Sequence, residues 1–405
     1  MDRLQFLLIL IILTLRANFL SASDEPEGFA SCSGKGLQTT TGGYGGDTVS
    51  ATTGGDLKKY LGLPEPLVVL LKGQIKIGAI SVKSNKTILG FGKTAAVVGE
   101  GFHVINQSNI IFRNLSFLNS RDDGIQMDNC HHIWIDHCYF TNGGDGLIDS
   151  RKNTTNLTVS WCILSDHDKT FGIGWTNNVT AEITIHHTWF KNSNQRNPSG
   201  DNILRAHLYN NLLEDITTYG NFCRGGTNMI IENTVYKNVA YPHFVQFPDI
   251  PVKPSGSLKV TGCIYEGKIQ GDTIHEYGKP FFNPKDFYNY TLDPAEKVRS
   301  LLTHCAGPQV NFDCEDITAE IKNLGIVQNR KPAVSFVSDR SVLLKFPRLR
   351  PEKVSIYSSN GTLQFRKSST IGKTLRWEAP MTGLYYIQYI SNNKKKDVLK
   401  VLIID

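Results

Sequence analysis

Charged side chains of both signs are spaced along one internal stretch of the chain in a pattern that could bind a cation and an acidic ligand. Asp123 and Asp145 each precede a glycine, and Asp149 follows Asp145 closely. Carboxylate oxygens held on a rigid wall suit Ca²⁺. Lys169 and Arg196 follow further along and add positive charge. A single Asp-Gly pair is a common turn former, but three carboxylates at related positions favour a calcium site beside a cationic pair.

Other polar residues of this stretch are weaker candidates for chemistry. Asp128 and Asp136 fall beside core-facing residues by alternation, which favours burial or capping over metal binding. His137, His186 and His187 lack the cysteine or histidine partners that a zinc site requires. A stacked, hydrogen-bonded ladder of rings is therefore the better interpretation of these histidines.

The elements that must position these side chains follow a repeat. Six short runs are rich in Ile, Val and aromatic residues and are bounded by Asn, Asp and Gly, which is typical of β-strands. The third positions of the runs, separated by 23, 24, 26, 23 and 23 residues, are Asn114, His137, Trp161, His187, Asn210 and Asn233. A period in this range indicates a repeat architecture.

No convincing amphipathic helix separates the runs, so the strands recur without helical crossovers. Parallel strands of this kind build a solenoid in which each turn lies about 4.8 Å above the last. The sequence therefore predicts an all-β fold, a right-handed parallel β-helix over about residues 65 to 265. Pro294 opens a helical pattern that reaches Leu302, and we expect this short helix to cover the end of the stack.

Composition divides the chain of 405 residues into three parts. A basic residue, a short apolar run and a small-residue segment predict a signal peptide over residues 1–23, and hence a secreted, extracellular protein. The β-helix domain is expected over residues 24–330. Over residues 331–405, short strands and the turn signal Asn360-Gly361 predict a small C-terminal β-sandwich module.

The positive charge of the chain lies mainly in this tail. Residues 333–405 carry thirteen Lys and Arg against five Asp and Glu, whereas the whole chain has a net charge of +6. The basic balance therefore belongs to the tail, which could help to hold a polyanion. We expect no nucleic-acid partner and no membrane partner. A monomer is expected because no feature of the sequence indicates an oligomer.

Eight cysteines agree with an oxidising compartment and with disulfide bonds. Cys305 and Cys314 are close enough to close a small loop. Cys138 and Cys162 fall at equivalent positions of adjacent turns, and they are either bonded or buried as free thiols. Eight Asn-X-Ser/Thr sequons allow glycosylation, but this pattern is common in Asn-rich repeats.

Several short motifs occur in order along the chain. They are Asp123-Gly-Ile-Gln126, Ile133-Trp-Ile-Asp-His-Cys138, Asp145-Gly-Leu-Ile-Asp149, Ile183-Thr-Ile-His-His187, Gln195-Arg-Asn-Pro198 and His207-Leu-Tyr-Asn-Asn211. Together with a lysine on the turn after the third motif, they resemble the pectate lyases of polysaccharide lyase family one. The resemblance covers about residues 28 to 310. It implies a parallel β-helix, a requirement for Ca²⁺, and polygalacturonate or pectin as the acidic polysaccharide substrate.

Carried over residue by residue, the resemblance implies that Asp123, Asp145 and Asp149 are calcium ligands. It implies that Lys169 binds substrate and that Arg196 removes the C5 proton of a galacturonate residue. The implied reaction is β-elimination, in which calcium and the lysine draw electron density from the uronate carboxylate and the C4 oxygen leaves. The product is a 4,5-unsaturated oligogalacturonate.

Two positions depart from the pattern of the family. Arg121 stands where the family has a further acidic calcium ligand, and Asp122 is the residue that could compensate. Asp201 replaces a substrate-binding arginine. Arg205 could bind the same anion, as a second substrate-binding cation, only if its loop folds differently from that of the family.

Two other functions stay open at this level. In the first, the altered arginine motif has abolished elimination, and the protein is a pectin-binding protein of the cell wall. In the second, Asp122-Asp123-Gly124 belongs to an inverting polygalacturonase on the same fold. Hydrolysis of that kind needs paired carboxylates spaced around a water. The Gly-His-Gly and Arg-Ile-Lys motifs that usually accompany them are missing here.

Overall fold

The structure is a computed structural model that describes residues 25–245, 256–271, 273, 275–309 and seven strands between residues 333 and 403. The chain divides after residue 312 into two compact units. The segment assigned to the signal peptide and the expected boundary near residue 330 lie outside the described residues, so both stay predictions. Among the described residues, no helix is long and apolar enough to cross a membrane.

The described strands of the first unit are short and closely spaced. They are β1 (Asp47–Ala51), β2 (Leu67–Lys76), β3 (Ile80–Ser81), β4 (Lys86–Val98), β5 (Phe102–Ile105), β6 (Ser108–Arg113), β7 (Ser116–Leu118), β8 (Ile125–Asp128), β9 (His131–Asp136), β10 (Tyr139–Thr141), β11 (Ile148–Arg151), β12 (Thr155–Ser160), β13 (Ile163–Lys169), β14 (Phe171–Gly174), β15 (Ala181–His186), β16 (Trp189–Gln195), β17 (Ser199–Asp201), β18 (Ile203–Tyr209), β19 (Leu212–Arg224), β20 (Asn228–Glu232), β21 (Val235–Phe244), β22 (Ser257–Thr261), β23 (Ile264–Glu266) and β24 (Glu276–Tyr277). They pair in parallel, apart from β24, which is antiparallel to β22.

The parallel pairs form three sheets that run along the solenoid. Sheet A contains β1, β2, β4, β6, β9, β12, β15, β18, β20 and β22. Sheet B contains β2, β4, β7, β10, β13, β16, β19, β21 and β23, and sheet C contains β3, β5, β8, β11, β14, β17, β19 and β21. The long strands β2, β4, β19 and β21 bend and belong to two sheets. The predicted right-handed parallel β-helix is confirmed.

The sequence repeat marks the corners between sheets A and B rather than the middle of strands. Each of the six runs divides into two strands at its third position, as β9 and β10 do at His137. The backbone at all six positions is left-handed, with φ between 43° and 62°. Asn adopts this conformation more readily than most residues, which explains Asn at three corners. The prediction of one strand per run is therefore wrong, because a left-handed residue turns the chain from one sheet into the next.

The interior is filled by stacks of like side chains. In sheet A, Ile135, Val159 and Ile185 occupy one register position on successive turns and are fully buried. In sheet B, the rings of Phe117 and Phe140 stack with their centroids 4.6 Å apart. Each turn contributes the same inward positions, so every turn buries its apolar side chains against its two neighbours.

A ladder of rings lies on the A–B corner, as the sequence predicts. His137, Trp161 and His187 stack there, with 4.1 Å between the centroids of Trp161 and His187. His186 Nδ1 lies 2.9 Å from His187 Nδ1, and His187 Nε2 lies 3.0 Å from the Asp293 carboxylate. In the described part of the chain, none of these histidines joins a cluster of metal-ligating side chains.

The N-terminal end of the solenoid is covered by a helix that the sequence analysis missed. Helix α1 (Gly54–Leu61) begins at a capping box in which Thr53 and Asp56 bond each other's backbone N–H groups. Leu57 and Leu61 of α1 join the apolar interior. Two short 3₁₀ helices, Gly28–Ser31 and Pro284–Asp286, lie elsewhere in the first unit.

The predicted second helix is present but lies on a side of the solenoid. Helix α2 (Ala295–Cys305) follows Pro294. Its Val298 and Leu302 pack on Leu212 and Val235 of sheet B. The expectation that α2 covers the end of the stack is therefore wrong, because its apolar face meets the outer surface of sheet B.

Cys138 and Cys162 are buried free thiols, which is one of the two interpretations that the sequence left open. The backbone N–H of Cys138 donates to Sγ of Cys162 over 3.4 Å. The alternative interpretation, a disulfide bond between them, is therefore wrong. Cys314 lies outside the described residues, so its pairing with Cys305 stays a prediction.

The second unit contains antiparallel strands. They are β25 (Ala333–Ser338), β26 (Ser341–Lys345), β27 (Lys353–Ser358), β28 (Leu363–Ser368), β29 (Thr374–Glu378), β30 (Gly383–Ile390) and β31 (Lys396–Ile403). They form a three-stranded sheet, β25–β26–β29, and a four-stranded sheet, β28–β27–β30–β31. β27 and β28 pair as the turn signal between them predicts, although Asn360-Gly361 itself lies outside the described residues. The packing of the two sheets into a sandwich stays a prediction.

Candidate active site

The three aspartates singled out by the sequence lie on adjacent turns, where the chain passes from sheet B to sheet C. Asp149 is on β11, and Asp123 comes just before β8, the strand that pairs with β11. Asp145 lies in the segment that joins β10 to β11. The parallel register therefore brings carboxylates from neighbouring turns to one place on the surface.

Gly146 allows two of these carboxylates to approach each other. A Cβ atom at this position would lie 2.6 Å from Asp123 Oδ1 and 3.7 Å from Asp149 Oδ1. The glycine thus leaves a small cradle faced by carboxylate oxygens. Asp123 Oδ1 is buried and accepts no well-formed hydrogen bond from the described residues. A buried carboxylate oxygen without a donor fits a bound cation, and these oxygen ligands suit Ca²⁺.

Burial and mutual repulsion raise the pKa of the two buried carboxyl groups. For Asp123, burial is the largest cause, followed by the charges of Asp122 and Asp145, and the pKa rises to about 6. For Asp149, burial and then the charge of Asp123 raise the pKa to about 7. A nearby positive ion would favour the ionised form of both groups. The electrostatics therefore agree with a cation site.

Asp122 completes this carboxylate cluster. Ligand atoms of Asp122, Asp123 and Asp145 all lie within 4.8 Å of one another. Arg121 turns outward instead, with 3.1 Å between its Nε and Glu100 Oε1 and with 84% of its side chain exposed. The geometry therefore supports the compensation by Asp122 that the sequence analysis considered, and Arg121 does not enter the cluster.

Lys169, on the next turn, contacts the cluster directly. Its Nζ donates to Oδ1 of Asp145 over 2.7 Å. This hydrogen bond is the largest cause that lowers the pKa of Asp145. His167 also holds the segment, since its Nε2 lies 2.9 Å from the backbone oxygen of Asp145. The structure therefore brings Lys169 together with Asp145 and Asp123, whereas Asp149 faces them across Gly146 and is not part of the 4.8 Å cluster.

Arg196 follows β16 and has a left-handed backbone, with φ of 61°. The next residue, Asn197, is fully buried, and its side chain holds this segment in place by hydrogen bonds. Asn197 Oδ1 accepts hydrogen bonds from Thr170 Oγ1 at 2.8 Å and Ser193 Oγ at 2.7 Å. Its Nδ2 donates to the backbone oxygen of Tyr219 over 2.9 Å. Asn197 thus fixes the backbone from which the Arg196 side chain projects.

The indole ring of Trp175 lies between Arg196 and the carboxylates. The sequence analysis did not identify Trp175. The guanidinium carbon of Arg196 lies 5.6 Å from the centre of the Trp175 ring. A Cβ atom at Gly172 would lie 2.4 Å from this ring and 2.7 Å from Asp149 Oδ1. About half of Trp175 is exposed. An exposed aromatic face beside charged groups offers a surface for the apolar side of a sugar ring.

We call the surface that extends from Asp123 past Asp149 and Trp175 to Arg196 the groove. A cavity of about 440 Å³ lies at its Arg196 end. Its lining includes Trp175, Arg196, Asp201, Tyr219 and Arg224. The sequence analysis missed Arg224, although Arg224 follows Asp201 by 23 residues, which is one period of the repeat. The structure pairs these two positions in register between β17 and β19.

Arg205 lies elsewhere. It belongs to β18 in sheet A, where its register partner is Glu182 on the preceding turn. Its guanidinium forms an ion pair with Glu182 and lies 4.5 Å from the centre of the Phe287 ring. Arg205 does not line the cavity that contains Arg196. The structure therefore does not bring Arg205 to the place of the missing arginine, because Arg205 lies on sheet A.

Comparison with known proteins places this groove in a family. The family model described as pectate lyase matches residues 8–245. The pectate trisaccharide-lyase of Thermotoga maritima is 31% identical over 339 residues, which span 71% of this chain and 89% of that protein. The pectate trisaccharide-lyase of Bacillus licheniformis is 30% identical over 307 residues, which span 69% of this chain and 85% of that protein.

Solved structures agree. The pectate lyase Bsp165PelA from Bacillus sp. N165, in complex with trigalacturonate, has a TM-score of 0.59 and 26% identity, and the match covers 70% of this chain and 98% of that chain. The thermostable pectate lyase PL 47 has a TM-score of 0.61 and 19% identity, covering 72% of this chain and all of that one, and it supports the fold alone. The motifs, the fold and the match over more than half of the chain lead to one conclusion: this chain belongs to the pectate lyase superfamily.

Proposed function

We propose that the protein is a secreted, calcium-dependent pectate lyase that cleaves (1→4)-α-D-galacturonan by β-elimination. The observation that carries this proposal is a carboxylate cluster with Lys169 at its edge, in which the buried Oδ1 of Asp123 has no hydrogen-bond partner among the described residues. Relatives named pectate trisaccharide-lyases and a related structure with trigalacturonate support an acidic polysaccharide as the substrate. The length of the products would show whether the enzyme releases trisaccharides.

In this proposal, Asp123, Asp145 and Asp149 hold Ca²⁺, and Asp122 takes the place of the family's further acidic ligand. When bound, calcium would draw electron density from a uronate carboxylate and so make the C5 proton of that sugar more acidic. The four carboxylates contribute the fixed negative charge that retains the ion. Gly146 keeps the space between them open.

The cationic side chains act on the sugar. Lys169 binds a uronate carboxylate and withdraws electron density from it. Arg196 takes the C5 proton, the electron pair forms a C4=C5 double bond, the C4–O4 bond breaks, and the departing O4 oxygen is protonated by water. Asn197 holds the Arg196 backbone through its three side-chain hydrogen bonds, so Arg196 approaches the sugar from a fixed position.

The geometry argues against hydrolysis by the alternative carboxylate pair. Inverting glycosidases need carboxyl groups about 6.5–9.5 Å apart, which leaves room for a water. The ligand atoms of Asp122, Asp123 and Asp145 lie within 4.8 Å of one another. This spacing favours a shared cation over an acid and base pair.

A pectin-binding protein without activity is the second candidate function. The observation that favours it is the acidic Asp201 in the same cavity as Arg196. In either case, the thirteen Lys and Arg residues of the tail would add affinity for a polyanion. The two antiparallel sheets of the tail support a sandwich module that carries this charge.

The test is the ultraviolet absorbance of unsaturated products when the purified protein meets polygalacturonate. We expect a rise with CaCl₂, no rise with a chelator, and no rise for Arg196→Ala. Arg299→Ala serves as a matched control, because Arg299 is an exposed arginine on α2 that pairs with Glu214. Polymer binding without a rise would support the binding protein, and chain shortening without unsaturation would support a hydrolase.

Secretion needs a separate test. The protein is collected from the culture medium of a secreting host, and its N-terminus is sequenced. We expect the mature chain to begin near Asp24. A product that stays in the cells and begins at Met1 would contradict the proposed signal peptide.

A further inference from the structure

We propose that the outer face of sheet A carries a second binding surface for acidic polysaccharide, formed by aromatic rings with cations beside them. Its rings belong to residues 277–290 and are those of Phe281, Phe282, Phe287 and Tyr290, which we call the aromatic strip. The inference rests on the proposed function, because it takes galacturonan as the ligand. The aromatic strip binds this polymer without cleaving it, on a different face of the solenoid from the groove.

The segment that carries the aromatic strip is fixed to sheet A. It contains six aromatic residues in fourteen positions. Tyr288 anchors it, because this residue is buried and its hydroxyl lies 2.8 Å from Thr184 Oγ1 and 2.7 Å from His207 Nδ1. The hydroxyl of Tyr290 donates to Glu232 Oε2 over 2.7 Å. These partners lie on β15, β18 and β20, so three successive strands of sheet A hold the segment.

The rings of the aromatic strip lie at the surface. Phe287 is 38% exposed, and the other three residues are half-buried. The ring centroids of Phe282 and Phe287 lie 6.3 Å apart, and both rings pack on the buried ring of Phe29. Aromatic rings of this kind offer a surface for the apolar side of sugar rings. Because the backbone beneath them is fixed, binding of a sugar requires little further ordering of the protein.

Cations lie over three rings of the aromatic strip. Their distances from the ring centres are 4.5 Å for Arg205 over Phe287, 5.8 Å for Lys285 Nζ over Tyr290 and 5.9 Å for Lys259 Nζ over Phe281. A cation within about 6 Å of a ring centre is attracted to the face of the ring. Lys259 and Lys285 are exposed, so their ammonium groups can also contact a ligand that lies on the rings.

The carboxylates around the aromatic strip have partners within the protein. These carboxylates and their partners are Glu182 with Arg205, Glu232 with His207, Asp286 with Asn283, and Glu276 with Lys279. A ligand on the rings therefore meets the ammonium groups of Lys259 and Lys285 rather than carboxylates that lack a partner. This arrangement favours an anionic ligand.

A ring with a cation beside it fits a uronate better than a neutral sugar. The apolar side of the sugar packs on the ring, and the carboxylate at the edge of the sugar reaches the cation. The attraction between the two charges is stronger beside an apolar surface than in bulk water. The combination of ring and cation occurs three times, as uronates recur along galacturonan, so several weak contacts add up on one polymer.

The position of the aromatic strip separates holding of the polymer from its cleavage. The groove lies where the chain passes from sheet B to sheet C, whereas the aromatic strip lies on sheet A. A polymer held on the strip keeps the enzyme close to further substrate while the groove releases products. A short oligomer that occupies the groove gains nothing from the strip. Arg205, which the sequence analysis assigned to substrate binding, acts in the strip and not beside Arg196.

The test uses the full-length protein and the double variant Lys259→Gln/Lys285→Gln. Lys58→Gln/Lys59→Gln is the matched control, because both lysines are exposed on α1 and Lys59 Nζ lies 5.4 Å from the Tyr60 ring centre. Migration in a native gel that contains polygalacturonate and a chelator gives dissociation constants without turnover. We expect the double variant to bind at least fourfold more weakly than wild type, and the control to change less than twofold.

Phe281→Ala tests the contribution of a ring. Phe91→Ala is its control, because Phe91 is also 38% exposed, and Lys72 Nζ lies 6.0 Å from its ring centre on β4, outside the aromatic strip. In the same gel, we expect Phe281→Ala to bind polygalacturonate at least threefold more weakly than Phe91→Ala. Melting temperatures of all variants should stay within a few degrees of wild type. Equal affinities of these two variants would overturn the role of the rings.

Ligand chemistry identifies what the aromatic strip binds. In gels with highly methyl-esterified pectin, wild type and Lys259→Gln/Lys285→Gln should migrate alike, because the esterified sugars lack the charge. With CaCl₂, the double variant should raise KM for polygalacturonate at least threefold and KM for hexagalacturonate less than twofold. Equal rises of the two KM values, or retardation of wild type by neutral dextran equal to that by polygalacturonate, would overturn the inference.

The gel measurement distinguishes failure of this surface from failure of the proposed function. If wild type forms no unsaturated product, yet polygalacturonate retards it more than Lys259→Gln/Lys285→Gln, elimination fails and the second surface stands. If wild type forms unsaturated product and the double variant is retarded as strongly as Lys58→Gln/Lys59→Gln, the second surface is wrong and the lyase stands.

Discussion

Lys169 Nζ lies 2.7 Å from Oδ1 of Asp145, so the lysine assigned to the substrate contacts a carboxylate assigned to the metal. Both side chains are partly exposed, at 32% and 55%. A calcium ion at Asp145 would compete with Lys169 for the same negative charge. In the proposed function, calcium binding would therefore release Lys169 toward a uronate, and this ion pair would couple the two ligand sites.

This coupling predicts effects of opposite sign for Lys169→Met. We expect calcium to bind about threefold more tightly, because an exposed ion pair contributes up to about 1 kcal/mol. We expect KM for polygalacturonate to rise about tenfold, because a charged hydrogen bond to the substrate is lost. Calorimetric titration with CaCl₂ and initial rates measure the two effects.

The matched control is Lys237→Met. Lys237 forms a similar pair with Glu214, with 3.0 Å between Nζ and Oε1, on sheet B. Lys237→Met should leave both the calcium affinity and the KM for polygalacturonate unchanged. Weaker calcium binding by Lys169→Met would show that Lys169 supports the metal site rather than competing with it.

Asp149→Asn should separate the metal site from the stability of the fold. Without calcium, we expect the variant to be more stable than wild type by about 1 kcal/mol, because it removes a buried charge repelled by Asp123. Wild type should gain about 2.7 kcal/mol at a calcium concentration 100 times Kd, and the variant should gain far less. Calorimetric melting in CaCl₂ and in a chelator measures both differences.

Asp128→Asn is the control for a buried carboxylate that already has partners. Asp128 accepts hydrogen bonds from Arg151 at 2.7 Å and from Lys152 at 2.8 Å. Its loss should lower stability in both buffers and leave the calcium-dependent gain intact. If Asp149→Asn behaved like Asp128→Asn, Asp149 would be a structural carboxylate and not a metal ligand.

Asn197→Ala should affect turnover more than binding. The side chain of Asn197 holds the backbone of Arg196 in place without lining the cavity, so its loss should displace the side chain that we propose removes the proton. Displacement of a reacting group by about 1 Å can cost about a hundredfold in rate. We expect kcat to fall between tenfold and a hundredfold, with KM changed less than threefold.

Asn211→Ala controls for the loss of a buried asparagine. Asn211 Oδ1 accepts from the Thr188 backbone N–H, and its Nδ2 donates to the Ile185 backbone oxygen, both over 2.9 Å. Both variants should lose about 1–3 kcal/mol of stability. Equal kcat values for the two variants would contradict a positioning role for Asn197.

The architecture was predictable because the turns of the solenoid appear in the sequence as a repeat with a nearly constant period. Asn114, Asn210 and Asn233 recur at corners where a left-handed backbone is required. The strand limits were not predictable, since His137 and Trp161 also adopt this conformation. Their stacked rings stabilise it, and such stacking depends on residues of neighbouring turns.

The residues of the candidate site were also predictable only in part. Asp123, Asp145 and Asp149 belong to local motifs, so sequence reasoning found them. The significance of Arg224 depends on the register between β17 and β19, and a motif search does not see that pairing. Arg205 is near Asp201 in sequence, but the chain crosses into sheet A between them.

Acid should destabilise the β-helix through Asp136, which is almost fully buried. Asp136 Oδ2 lies 2.8 Å from Arg113 Nε, and its Oδ1 accepts from Ser160 Oγ over 2.7 Å. Burial alone would raise the pKa of Asp136, but His137, Arg113 and the Ser160 hydrogen bond outweigh it and hold the pKa below the usual range of an aspartate. A carboxyl group with a depressed pKa stabilises the fold above its unfolded pKa of about 3.9 and loses that contribution as the pH falls through the folded value.

Asp136→Asn should therefore cost about 3 kcal/mol at pH 7, because it leaves Arg113 buried without its carboxylate. The difference between variant and wild type should stay constant down to about pH 4 and shrink below it, as Asp136 of the wild type becomes protonated. Urea unfolding of both proteins between pH 7 and pH 3 measures this difference. Since other carboxyl groups titrate in both proteins, only the difference isolates Asp136. A difference that stayed constant to pH 3 would assign the loss to packing of the asparagine rather than to the charge of Asp136.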